Sequence, residues 1–377
     1  MRKNGKTAAG SQRWKCTQCS LTTTSTRKDL TRGAEFDLFQ AYLGGKDSQA
    51  VLDETASGRS LRRRLAWCWK VPVPRPLATG EIYNQVFLDG KEVGYEWVLL
   101  AAVNQDGTVV AWQWTTSENA AAYKALLKDI PPPKVVTVDG AAGGLKAIGQ
   151  VWGEETAVQR CLIHVHRNNR ADLTFNPKTM AGKALLGLSR ALLKITSQEE
   201  ASHWEGLLQA FYNQYSGYLK ERSYAKDNPE EGIRRGRTWW YTHGRDRRVY
   251  FRLARLVRQG VLFTYLNTDL AQGLHSTTNI IESLNSRIDE LCFQHRGLSE
   301  PHLICAVNWL LYHHSELPAP PREILKQWEQ SGKPTARLIP TKTPRPTPSE
   351  GPIESDTGLS AEEGLWTRKG WAGRWTP

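Results

Sequence analysis

No apolar run in this chain approaches the roughly 20 residues that span a bilayer; WVLLAAV at 97–103 is typical of what there is. The start, MRKNGKTAAG, lacks the apolar core of a signal peptide. Cysteine is sparse: six in 377 residues do not make a disulfide framework. No internal repeat is visible. These absences leave a soluble, cytoplasmic protein with no membrane partner as the expectation, long enough for two or three domains. Acidic residues are also scarce, 38 against 50 Lys and Arg, for a net charge of +12. The imbalance is local. Residues 1–80 hold 15 basic against 6 acidic side chains, and residues 222–258 hold 11 against 4. Clustered positive charge suits a polyanion, because phosphate contacts supply most non-specific nucleic-acid affinity. A solvated basic surface is the alternative.

The apolar fraction, 40%, is enough for real cores. In SQRWKCTQCSLTTT, residues 11–24, Cys16 and Cys19 have the spacing of half a zinc knuckle. A structural zinc site needs four ligands and no second pair lies nearby, so Zn²⁺ binding and two unligated thiols both stay open. Residues 35–69 read as three short helices. Phe36, Phe39 and Leu43 form one stripe, Asp47 caps a second helix through Leu52, and Ala56-Ser57-Gly58 forms a tight turn. The third helix carries Leu61, Leu65 and Trp69 inward and Arg59, Ser60, Arg62, Arg63 and Arg64 elsewhere. This is a helix-turn-helix pattern whose basic last helix enters the major groove. Three consecutive arginines fan over about 200° of helix, so some must touch phosphate rather than bases. A plain three-helix cluster with a basic face is the bland reading.

VPVPRPLATG, 71–80, reads as a stiff linker. Beyond it, the apolar run Ile82 to Leu88 ends in Asp89-Gly90, Tyr95 to Val103 and Thr108 to Trp114 complete a meander, and Ser117 caps a helix to about Asp129. Val135 to Val138 ends in Asp139-Gly140, a short helix follows to Trp152, and a last strand runs from Val158 to Ile163. The order is βββαβαβ, an α/β fold. Residues 172–274 alternate Leu, Ala and charge at helical period, a helical insertion. Ile280, Ile281, Leu284 and Ile288 then mark another helix, followed by one near 304–312. From 317 the chain turns Pro-rich, with 10 of 19 prolines in its last 60 residues, and reads as a disordered tail through 377.

Three acids stand out: Asp89, Asp139 and Glu282. Each has a bland role, as a hairpin turn, a strand-to-helix turn and the third position of a capping box opened by Asn279. As a set, two strand-end aspartates with a glutamate on an adjacent helix suit two Mg²⁺ (or Mn²⁺) ions, with hard oxygen ligands and substrate phosphate completing the shell. Such a pair, about 3.5–4 Å apart, activates the attacking oxygen and stabilises the leaving one in phosphodiester chemistry.

The local motifs sharpen this. LDG at 88–90, VDG at 138–140, RCLIH at 160–164 and TTNIIESLNSRI at 277–288 resemble the transposases of Mutator-like bacterial insertion sequences. RWKCTQC, the helix-turn-helix pattern and HRG at 295–297 resemble a zinc-ribbon branch of that group. The resemblance covers about residues 1–315. It implies an RNase H-like catalytic domain at 81–171 and 275–316, interrupted by a helical insertion at 172–274. A partial zinc ribbon at 1–28 and a helix-turn-helix domain at 29–70 precede it. Asp89, Asp139 and Glu282 become the metal-binding triad, Cys161 and His164 the accessory pair, and Asn279 a site neighbour. The implied activity is metal-dependent cleavage at terminal inverted repeats and strand transfer into target DNA by a homo-oligomer on double-stranded DNA. Residues 222–258 would track the DNA backbone, and Trp239 and Trp240 either stack on a distorted base or pack in the core. The rivals are an inactive DNA-binding relative and a nuclease of the same fold without strand transfer.

Overall fold

The computed structural model describes residues 1–8, 10–24, 28–44 and 58–335, the side chains of 28–30 excepted. They fall into two compact units. One takes the described residues of 1–75, Glu290–His313 and 317–335; the other takes Pro76–Asp289 and His314–Glu316. The helix near 304–312, grouped on sequence with the catalytic segment, therefore belongs with the N-terminal unit. No helix among the described residues is long and apolar enough to cross a membrane.

In the first unit, β1 (Arg2–Lys6), β2 (Gln12–Lys15) and β3 (Thr22–Thr24) form an antiparallel sheet in that order. The helix Lys28–Gly44 buries the expected stripe of Phe36, Phe39 and Leu43. Gly58–Leu65 buries Leu61 and Leu65 and exposes Arg59, Arg62, Arg63 and Arg64, with Ser60 half-buried. It ends earlier than its spacing suggested: Trp69 lies in a separate 3-10 turn, Cys68–Lys70. The expected second helix, Asp47 to Leu52, lies outside the described residues, as does most of the Ala56-Ser57-Gly58 turn.

The expectation of disorder from 317 is corrected over part of its length. Pro321–Gln330 is a helix that buries Ile324, Leu325 and Trp328. Trp328 stacks on Trp67 at 5.9 Å, and Phe36 meets Trp309 of the helix Glu300–His313 edge-on at 5.6 Å. Arg32 pairs with Glu329 at 2.7 Å. The cause is the apolar stripe at 36–43, which an eight-residue helix is too short to cover; fully burying each such side chain contributes about 1.5–3 kcal/mol. Residues 336–377 lie outside the described residues.

The second unit is built on a five-stranded sheet of order β6-β5-β4-β7-β8. Its strands are β4 (Gln85–Gly94), β5 (Trp97–Asn104), β6 (Val109–Thr115), β7 (Val135–Val138) and β8 (Ala157–Arg160). β4, β5 and β6 are antiparallel, and β4, β7 and β8 are parallel. Strand alternation sends Val86, Leu88, Val136 and Val138 to one face, where they pack on Tyr123, Leu126, Ala147 and Ile148 of the helices Ala120–Leu127 and Ala142–Val151. The opposite alternation carries Gln85, Thr137 and Gln159, all fully buried. Gln85 donates to Thr137 Oγ1 (2.7 Å) and the His275 carbonyl (2.7 Å), and accepts from the His275 N–H (2.8 Å). Gln159 donates to the Leu262 carbonyl (3.0 Å) and accepts from the Tyr265 N–H (3.1 Å). Each side-chain amide thus pairs like a peptide group and holds the chain returning from the insertion.

Several local readings change. β4 does not end at Asp89 but runs to Gly94, and the hairpin turn is at Tyr95 and Glu96, both at positive φ (50° and 63°). Asp89-Gly90 is therefore no hairpin turn. Asn119, not Ser117, caps the helix Ala120–Leu127, accepting from the Ala122 N–H at 2.9 Å. β8 stops at Arg160, so Cys161 and His164 lie at the start of the helix Leu162–Leu173, not on a strand. The insertion is helical as read, with Met180–Ala191, Gln198–Lys220 and Gly244–Arg258 around one apolar cluster and the short helix Pro229–Arg235 contributing no side chain to it. It also carries a two-stranded sheet, β9 (Arg222–Tyr224) with β10 (Trp239–Tyr241).

Candidate active site

Strand register creates the site. Leu88 pairs with Val138, the last parallel pair between β4 and β7. The next residues, Asp89 and Asp139, are therefore neighbours. β4 continues past this point while β7 turns away. Burial first, then the Asp139 charge, push the Asp89 carboxyl up to about 6, against the hydrogen bond from Asn285 and the charge of His164. Asn285 Nδ2 donates to Asp89 Oδ2 at 2.6 Å. Asp139 Oδ1 accepts the Ala141 N–H at 2.9 Å, which opens the turn after β7.

Both glycines of the two Asp-Gly motifs make room for a side chain. At Gly140, φ is +103° and a Cβ would overlap the guanidinium of Arg160, which donates to the Asp139 carbonyl. At Gly90 a Cβ would overlap the carboxylate of Glu118. Glu118 is a third carboxylate in the field of the two aspartates. Its residue is exposed overall, but its carboxyl end lies against Gly90. Desolvation there, then the charges of Asp139 and Asp89, push it up to about 7. Tyr123 donates to its Oε2 at 3.3 Å. Sequence reading missed Glu118 because Ser117 was assigned the helix cap. The signal was a carboxylate immediately before the true cap, Asn119.

Cys161 is fully buried, and its Sγ accepts from the Thr278 N–H (3.4 Å) and Oγ1 (3.2 Å). Burial alone pushes the thiol up, but the hydrogen bond and charge of His164, with the Thr278 hydroxyl, outweigh it and lower it. The same hydrogen bond raises the His164 imidazole against its own burial, with the charges of Cys161, Asp139 and Asp89 adding to it. Thr278 Oγ1 also lies 3.5 Å from His164 Nδ1.

Glu282 lies in the first turn of the helix Asn279–Gln294. Its backbone N–H donates to the Thr278 carbonyl at 3.0 Å. Asn279 is the first helical residue and exposed, so Thr278 stands before the helix and the expected capping box from Asn279 to Glu282 is not formed. The Glu282 carboxylate meets Arg167 of the Leu162–Leu173 helix at 3.5 Å, and its Oε1 is buried without a hydrogen bond. The side chain of this helix that reaches Asp89 is Asn285, one turn on. So the two aspartates come together, and the glutamate's helix comes to them, but Glu282 itself faces an arginine.

The fit to a divalent cation follows from the donors. Asp89 and Asp139 are hard oxygen ligands whose mutual repulsion a cation would relieve. Among the described residues no three His, Cys, Asp or Glu side chains are gathered closely enough to hold a metal. In the first unit, Cys16 and Cys19 sit in the turn between β2 and β3, where N–H groups of Cys19 and Gln18 bond to and lower the Cys16 thiol.

Residues 76–231 match the family model described as Transposase, Mutator family. Over these residues the chain is similar to Mutator-family transposases. That segment contains Asp89, Glu118, Asp139, Cys161 and His164, and stops before Glu282. No curated protein and no solved structure matches the chain.

Proposed function

We propose that this protein is an insertion-sequence transposase with an RNase H-like catalytic domain, which cleaves DNA at terminal inverted repeats and joins the ends to target DNA. The observation that carries the reading is the register-enforced pair of Asp89 and Asp139, like charges held side by side on adjacent strands within the matched segment. Asp89 and Asp139, with Glu282, would hold Mg²⁺ or Mn²⁺; bound ions supply Lewis acidity toward a phosphodiester. Asn285 orients the Asp89 carboxylate, and Arg160 holds the turn that carries Asp139. His164, its imidazole raised by the Cys161 hydrogen bond and by these acids, offers a ring N–H donor to a phosphate oxygen. Arg167 is the natural partner for DNA phosphate once Glu282 leaves it for the aspartates. The arginines of Gly58–Leu65 serve end recognition, and an oligomer pairs the two ends.

A labelled duplex with the element's inverted repeat, incubated with Mg²⁺ or Mn²⁺, tests this. Wild type should nick at the repeat boundary and form strand-transfer products. Glu282→Gln should bind but not cleave. The Glu282–Arg167 pair favours a second reading, an inactive DNA-binding relative, and equal binding without cleavage by either protein would select it. Cleavage without joining would instead select a nuclease.

A further inference from the structure

The return of the chain to the site is tied down at three points within four residues. His275 is clasped by Gln85, the Ser276 carbonyl accepts from Leu162 N–H at 3.0 Å, and Thr278 bonds to Cys161. Cys161 stands at the centre. Its N–H donates to the Val138 carbonyl at 2.9 Å, the residue before Asp139. Its sulfur takes both the N–H and the hydroxyl of Thr278, the residue before the glutamate helix. Both residues are buried, at 0% and 1% exposure, so no water competes for these bonds.

We propose that Cys161 is a positioning residue whose sulfur fixes the start of the Glu282 helix to the segment that carries Asp139. Sulfur suits the task by reach. It accepts at 3.2 and 3.4 Å, where a hydroxyl oxygen would need partners near 2.8 Å, and one large atom serves two donors. The rival role for a small buried cysteine is apolar packing. The two roles predict opposite orders of tolerance. If the sulfur only packs, Cys161→Ala is mild and Cys161→Ser, which buries a hydroxyl, is worse. If it anchors, Cys161→Ala leaves the buried Thr278 N–H without its acceptor and the Thr278 hydroxyl with only His164 Nδ1 at 3.5 Å, and Cys161→Ser restores an acceptor.

The catalytic consequence rests on the transposase reading; the anchor itself does not. The test uses the full chain with Cys161→Ala, Cys161→Ser and Thr278→Val, the last removing only the hydroxyl. Hydrogen exchange is followed over 275–285, with β5 as an internal control, beside repeat binding and cleavage. Cys161→Ala and Thr278→Val should speed exchange over 275–285 roughly tenfold and leave β5 unchanged. Cleavage should fall about 100-fold with DNA binding retained, as expected for a displaced catalytic group. Cys161→Ser, whose oxygen accepts but reaches less far, should recover part of both. Alanine tolerated better than serine would overturn the proposal, and so would a loosened helix with undiminished cleavage. If wild type does not cleave, the transposase reading fails, and exchange alone decides the anchor: unchanged rates in the alanine and valine variants would refute it. Should Cys161→Ala not fold, Thr278→Val carries the same comparison.

Discussion

Asp172 and Asp89 are both sheltered carboxylates of the second unit, and they are held in opposite ways. Asp172 meets Arg248 at 3.3 Å and Arg252 at 2.6 Å, and Arg252 also donates to the buried Asn169 at 2.8 Å. Asp89 has a second aspartate beside it and a glutamate close by, and its carboxyl is pushed up to about 6. Burying a charge is costly unless it is paired, and the aspartate pair departs from that rule where Asp172 obeys it. A carboxylate closed by its own counter-ions is finished as structure. One crowded by its like keeps a perturbed pKa, the mark of a candidate functional site. The comparison also tempers the charge count. Of the basic side chains at 222–258, Arg248 and Arg252 serve Asp172, Arg234 and Arg235 serve Glu231, and Arg222 lies over the Trp239 ring at 4.1 Å. Much of that basic run holds the insertion together.

The largest effect that could break this comparison is chemical. Asp139→Asn should lower repeat cleavage by at least about 1000-fold in a gel assay, with DNA binding intact. Asp172→Asn, assayed per folded molecule, should leave the cleavage step nearly unchanged. Next comes stability. Asp172→Ala removes the carboxylate that Arg248 and Arg252 share, leaving Arg252 buried without that counter-ion, and should cost about 3–5 kcal/mol in urea unfolding. Asp139→Asn should be neutral or stabilising, and equal losses in the two variants would refute the distinction.

A pH series sharpens it further. Asp89 and Glu118 hold protons more tightly folded than unfolded, at about 6 and about 7. Their contribution to stability is therefore full below about pH 4 and is lost as pH rises through 6 to 7. Asp89→Asn should exceed metal-free wild type by about 2–3 kcal/mol near pH 8, and the gap should close near pH 4. Added Mg²⁺ near pH 8 should raise the wild-type Tm but not that of the variant. The smallest contrast lies between the two Asp-Gly glycines. Gly140→Ala strains a positive φ and displaces Arg160, for about 1–3 kcal/mol. Gly90→Ala displaces only the carboxylate end of the Glu118 side chain and should cost under about 1 kcal/mol, both read from thermal melts.

The parts of the fold legible in the sequence are those with strong local periodicity. The strand–turn spacing at 82–114, the apolar runs ending in Asp89 and Asp139, and the stripes at Phe36–Leu43 and Ile281–Ile288 follow from alternation and helical period. What escaped was set by neighbours distant in sequence. Nothing near Asp89 says that β4 continues to Gly94, because the pairing that extends it comes from β5. The helix Pro321–Gln330 was masked by proline count, although Pro321 starts it and Ile324, Leu325 and Trp328 follow at helical spacing. Asn285 reads as one more polar residue on a helix until its amide is seen on Asp89.

By itself the sequence determined that two aspartates follow apolar strands and that an acid opens a late helix. It also determined that positive charge concentrates in two stretches, because composition and periodicity are properties of the chain. Only the tertiary structure decided which acids share a field. It put Glu118 over Gly90, Asn285 on Asp89, Glu282 against Arg167 and Cys161 under Thr278. The reason is physical: strand register and chain return set these partners, and electrostatic coupling falls off within a few ångströms whatever the separation in sequence.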